Sequence, residues 1–132
     1  MAIRQWLIQK ITQYFMKEGP QKHSHLCNFD RLSHEIRPAD VLLVEGRSRV
    51  SHIISRVTVS AWTHSALYIG RIHDIDDPEI RELVHKHFKG ASREQLLIES
   101  WLGKGTIISP LSNYKDKHIR ICRPSGLTHE DA

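Results

Sequence analysis

Thr63-His64-Ser65-Ala66-Leu67-Tyr68-Ile69-Gly70 is the stretch that decides how the chain folds. Successive side chains of an extended backbone point to opposite sides, so Ser65, Leu67 and Ile69 share one face and His64, Ala66 and Tyr68 the other. Gly70 punctuates the run, and the pattern predicts a strand over 64–69 that opens on a histidine.

Upstream of it, Val41-Leu42-Leu43-Val44 lies between Pro38 and Gly46 and reads as a short buried strand. Between the two strands, Val50, Ile53, Ile54 and Val57 recur at helical spacing and predict a helix over 48–57. Downstream, Asp76-Asp77-Pro78 opens a second helix. Its proline suits the first turn, Glu79 and Glu82 suit the positive N-terminal end, and Ile80, Leu83, Val84 and Phe88 form its apolar stripe. Lys86, His87 and Lys89 suit the C-terminal end, where Gly90 stops it. Three further strands are predicted over 95–100, 106–109 and 118–123, with Gly103-Lys104-Gly105 turning the first into the second. These elements define an α+β fold, a small and mostly antiparallel sheet or half-barrel with two or three helices.

Ahead of this region, Ile3, Trp6, Leu7, Ile11, Tyr14 and Phe15 recur at helical spacing among Arg4, Gln5, Gln9, Gln13 and Lys17, and Gly19-Pro20 ends the helix. Packing of that stripe on the protein's own core is the expected use, because most amphipathic helices bury their stripe that way. Contact of residues 3–17 with a membrane surface is the alternative, raised by the aromatic residues and flanking Lys and Arg. The polar residues 21–37 read as loop. The pair His23 and His25 within it falls short of the three or four ligands a metal needs, so neither metal nor cofactor is expected. The chain thus divides into a helix and loop (1–35), a folded region (36–124) and a tail (125–132). In the tail, Thr128 reads as a helix N-cap with Glu130 and Asp131 as first-turn acids, the beginning of an interrupted helix.

The totals agree with one domain. The chain has 132 residues, 39% hydrophobic and 26% charged, and no run approaching the ~18 apolar residues of a membrane span. Its formal charge of +4 and pI near 9.3 come from basic residues interleaved with acids, which excludes a compact nucleic-acid footprint. Cys27 and Cys122 form no metal-type spacing; one disulfide is open to them, and two thiols are the simpler reading. Gln5, Gln9, Lys10 and Gln13 interrupt the first residues where a secretory leader would be apolar, which predicts a cytoplasmic chain, membrane-peripheral if residues 3–17 serve that use.

The motif H-x-x-x-Y-I-G at 64–70 resembles the catalytic-histidine strand of circularly permuted, NlpC-like papain-fold enzymes, among them the YiiX-type thiol hydrolases and the lecithin:retinol acyltransferase relatives. Arg37-Pro38-Ala39-Asp40-Val41-Leu42-Leu43 resembles that family's opening strand, where glycine is usual in place of Ala39. Leu97-Ile98-Glu99-Ser100 resembles the strand whose polar residue orients the histidine. Gly105-Thr106-Ile107-Ile108, Tyr114 and Ile119-Arg120-Ile121-Cys122-Arg123-Pro124 resemble the closing stretch, so the likeness spans 36–124. It implies a permuted papain-like half-domain in which His64 is the base and Glu99 its orienter, with Trp62, Thr63 and Tyr68 beside the substrate. The implied substrate is a peptide or an acyl lipid.

Those residue types are what thiol chemistry requires. A neighbouring imidazole lowers the thiol pKa and carries its proton to the leaving group, and a third polar group holds the ring in one tautomer. The bland readings are a half-buried strand-opening histidine bonded to backbone, and a solvent-facing Glu99. The family's cysteine would follow both residues, at a helix start beyond Arg123-Pro124, and the chain has none there. Cys122 sits in a strand, sharing a face with His118 and Arg120 and lacking the helix N-terminus that helps ionise a thiol. Cys27 precedes His64 without the surrounding signature. The expectation is part of a cysteine-dependent amidase or esterase, inactive as this chain, with a non-catalytic peptide- or lipid-binding module as the alternative. Sheet surface left bare would be covered by the helix at 3–17 or by a second copy, and homo-oligomerisation is expected.

Overall fold

In the computed structural model, which describes residues 2–19, 27–128 and 131, each predicted apolar run becomes a strand. The strands are β1 (Val41–Val44), β2 (His64–Arg71), β3 (Gln95–Trp101), β4 (Gly105–Pro110) and β5 (Ile119–Cys122). They pair antiparallel in the order β4-β3-β2-β1-β5, an open sheet with β4 and β5 at its edges. The fold is α+β.

Register assigns the faces. Leu42 pairs with Ala66 and Ile121, and Val44 with His64 and Ile119, so these residues lie on one side, together with Tyr68, Leu97 and Glu99. Val41, Leu43, Ser65, Leu67, Ile98 and Cys122 lie on the other. In β2 the pairing steps from Tyr68 opposite Leu97 to Gly70 opposite Leu96, leaving Ile69 as a bulge. Gly70 takes φ +86°, a value a glycine adopts without strain.

The first face carries the main core. Leu42, Leu97 and Leu111 are almost fully buried there, beneath a 3-10 turn over Leu111–Tyr114 and the helix α2 (Phe29–Glu35). That helix corrects the reading of 21–37 as loop. Asn28 caps it by accepting from the Arg31 N–H at 3.0 Å, and Phe29, Leu32 and Ile36 set one side of it against the sheet. His23 and His25, read as too few to hold a metal, lie outside the described residues. On the second face, α4 (Pro78–His87) covers one end, where Ile72, Val84 and Leu96 are buried. Asp77 caps α4 through the N–H groups of Glu79 and Ile80. Leu67 on that face remains 41% exposed.

The described helices number four, one more than the pattern predicted: α1 (Ala2–Met16) and α3 (Arg49–Thr58) complete the set. Ser48 caps α3 by accepting from the Ser51 N–H. The apolar stripe of α1 is not buried in the core, against expectation: Trp6 is 57% exposed and Tyr14 likewise 57%. The physical reason is that α2 and the 3-10 turn already fill the sheet face that the stripe would have covered. In the tail, Asp131 accepts from both the N–H and the hydroxyl of Thr128, the side-chain half of a capping box at the predicted N-cap.

One clamp fixes the entry to β1. Asp40, 1% exposed, accepts from Arg123 Nε at 2.8 Å and Nη2 at 2.7 Å and from the Arg37 N–H at 2.8 Å. Burial opposes ionisation of Asp40, but the Arg123 guanidinium overcomes it and holds the carboxyl below its ordinary range. Beside it, Ala39 takes φ +70°, donating its N–H to the Tyr68 carbonyl. A β-carbon in that conformation costs roughly 1–2 kcal/mol, more than the entropy glycine adds to the unfolded chain. Ala39→Gly is therefore expected to stabilise the protein by about 0.5–1 kcal/mol, read as a raised urea midpoint with an unchanged m-value.

Candidate active site

At the end of the sheet away from the Asp40 clamp, backbone and side-chain bonds set where β2 begins. The Thr63 N–H donates to the Val44 carbonyl at 3.1 Å, and the Thr63 hydroxyl accepts from the Gly46 N–H at 2.9 Å. Gly46 has no room for a side chain, since a β-carbon there would sit 2.1 Å from Ser51 Oγ. His64 is thereby placed as the first residue of the strand, on the core side.

Glu99 pairs with Ala66, which makes it the diagonal neighbour of His64 on the same face, within reach of a ring and a carboxylate. His64 Nε2 lies 2.6 Å from Glu99 Oε2. The Glu99 side chain has no exposed surface, whereas that of His64 is 27% exposed. Two hydroxyls donate to the same carboxylate: Ser109, from β4, and Tyr114, from the 3-10 turn. The Trp101 Nε1–H is buried without a hydrogen-bond partner of good geometry, yet lies near enough to the carboxylate to add to its stabilisation. Burial alone would raise the Glu99 pKa; the donors, His64 foremost, outweigh it and hold the pKa at about 2. Tyr114 moves the other way, raised by burial and then by the carboxylate it serves.

An ionised carboxylate only accepts, so the His64 proton shared with it resides on Nε2. The lone pair of the neutral ring is then on Nδ1, to which no described residue is hydrogen-bonded. Tyr114 stacks on the ring, with centroids 6.1 Å apart and planes 18° apart. Glu99 thus fixes one edge of the ring, and Tyr114 lies roughly parallel to it nearby.

The remaining candidates are distributed differently. Trp62 packs against the His118 ring at 5.1 Å, and His118 Nδ1 lies 2.8 Å from Glu45 Oε2. Thr63 lines a hollow of about 440 Å³ with Gly46, Ser51, Ser55 and Ser60. Tyr68, expected beside the substrate, is a core residue: it is 3% exposed and its hydroxyl accepts from Gln95, because four residues of strand carry it away from His64. Cys122 pairs with Val41 and so lies on the face opposite His64 and Glu99, exposed. Cys27 is half-buried against the core, and both cysteines are free. Sequence reading missed Ser109 and Tyr114 as partners of Glu99. The signal available for Ser109 was its place in β4, which brings it diagonal to Glu99 once Leu97 is known to pair with it.

No protein-family model, curated protein or solved structure matches this chain.

The depressed pKa of Glu99 has a stability consequence of definite sign. Its folded value of about 2 lies below the ordinary 4.5, so the unfolded chain binds the proton more readily. The contribution is complete above about pH 4.5 and disappears as pH falls towards 2, amounting to roughly 3 kcal/mol. Urea unfolding of the parent is expected to lose about that much more stability across this window than Glu99→Gln does. Equal losses in the two proteins would show that Glu99 titrates normally.

Proposed function

We propose that this chain provides the acid–base half of a cysteine-dependent amidase or esterase of the permuted NlpC-like type, acting on peptide or acyl-lipid carbonyls. The observation that carries the reading is the His64–Glu99 pair at 2.6 Å, with the carboxylate buried and Nδ1 left open. In the proposed role, Nδ1 takes the proton of a thiol as its sulfur attacks the carbonyl and later returns it to the leaving group. Glu99 keeps the ring in the Nε2–H tautomer and stabilises the imidazolium that forms. Cys122 is not assigned the nucleophile, since the sheet stands between it and the dyad. We place the protein in the cytoplasm, a reading supported by its two unpaired thiols. No described helix is long and apolar enough to cross a membrane.

A second reading, a peptide- or lipid-binding module that does not turn over, is favoured by one observation, the position of Cys122 on the wrong face. An added thiol separates the two. The chain alone is expected to hydrolyse neither peptides nor thioesters. With a small exogenous thiol it is expected to accelerate thiolysis of an acyl thioester at least ~100-fold over His64→Ala, the low end of general-base catalysis, with Glu99→Gln intermediate. Equal rates for parent and His64→Ala would reject the catalytic reading in favour of the binding module. Turnover abolished by Cys27→Ala or Cys122→Ala would identify a thiol the geometry excludes.

A further inference from the structure

The helix α1 is oriented against the usual rule. Its inward contacts run through Thr12, which lies against Gly103 in the β3–β4 turn, and through the half-buried Phe15 and Met16. Outward stand Ile3, Trp6, Leu7, Ile8, Ile11 and Tyr14, between 48% and 82% exposed. α3 packs alongside, with the Arg49 guanidinium 3.8 Å from the centre of the Tyr14 ring, and adds Ile53 and Val57 at 53% and 77% exposure. Neither helix contains an aspartate or glutamate, while Arg4, Lys10, Arg49 and Arg56 lie within them; Lys17 follows, and Glu18 after it is paired with Lys117 and Arg47.

We propose that the outer surface of α1 and α3 docks this protein onto an anionic lipid surface. An aqueous face that is apolar, carries Trp and Tyr, has basic but no acidic residues within its two helices, and belongs to helices that do not span is the composition that binds the headgroup boundary. The rings seat at the interface, the aliphatic residues enter it, and the lysines and arginines meet the lipid phosphates and carboxylates. A second copy of the chain fits worse. A two-fold contact would set the acid-free, basic surface against itself, with no carboxylate in either helix to offset the repulsion. The location also gives docking a consequence. The C-terminal half of α1 sits by the β3–β4 turn and α3 leads into β2, so the lipid surface would lie at the His64 end of the sheet.

The test is flotation of the full chain with vesicles of phosphatidylcholine, alone or mixed with phosphatidylserine. The parent is expected to bind the anionic vesicles at least ~10-fold more tightly, in a salt-sensitive manner. Leu7→Glu/Ile11→Glu is expected to abolish binding, and Lys10→Glu/Lys17→Glu to weaken it ~10-fold or more. All four side chains are exposed, so circular dichroism should be unchanged in both variants. The proposal is overturned if the parent floats with neither vesicle, or if the variants float as well as the parent. A sedimentation-stable dimer that Leu7→Glu/Ile11→Glu converts to monomer would overturn it in favour of a second copy. Thiolysis by an added thiol, measured without vesicles, reads the dyad separately, so either proposal can fail alone.

Discussion

A carboxylate removed from water must receive from the protein the hydrogen bonds that water supplied, and the side chain of Glu99 has no exposed surface. Its donors come from three separate elements: His64 opens β2, Ser109 belongs to β4 and Tyr114 to the turn that follows it. Together these donors outweigh the cost of burial and hold the carboxylate ionised, and the three meet at Glu99. The demand of one buried charge therefore fixes how two strands and a turn close over this end of the core.

The other end of the same core has a buried carboxylate too, and the contrast between them is informative. Asp40 is bound bidentately by Arg123, whose guanidinium does not give up its proton, so that pair is a permanent tie between the start of β1 and the end of β5. Glu99 is bound by an imidazole, whose second nitrogen is left free to take or give a proton. Burial and ionisation are alike in the two pairs. Only the partner differs, and it separates a structural tie from a group able to move a proton.

Much of this was legible in the sequence because strand geometry has a strict period. Two-residue alternation placed His64 on one face with Ala66 and Tyr68, and the motifs at 64–70 and 97–100 brought Glu99 to it. The rest needed register or competition between elements, which periodicity does not contain. Ser109 and Tyr114 reach Glu99 only because β4 aligns Ser109 with Leu97 and the chain then turns back over the core. The helix α2 was hidden by the polar residues around it, although Asn28 and the spacing of Phe29, Leu32 and Ile36 were present. For α1 the spacing identified an apolar stripe but not its direction, since direction depends on which face of the sheet is already filled.

The same alternation that identifies the dyad also limits what can react with it. In β5, Ile119 and Ile121 point into the core, so Cys122 between Ile121 and Arg123 must point away from it. His64 is occupied at Nε2 by Glu99 and over one ring face by Tyr114. What remains is the Nδ1 edge, at the end of the sheet where Thr63 leads into β2. A group that exchanges a proton with the ring must reach Nδ1, because the carboxylate holds the ring's other nitrogen.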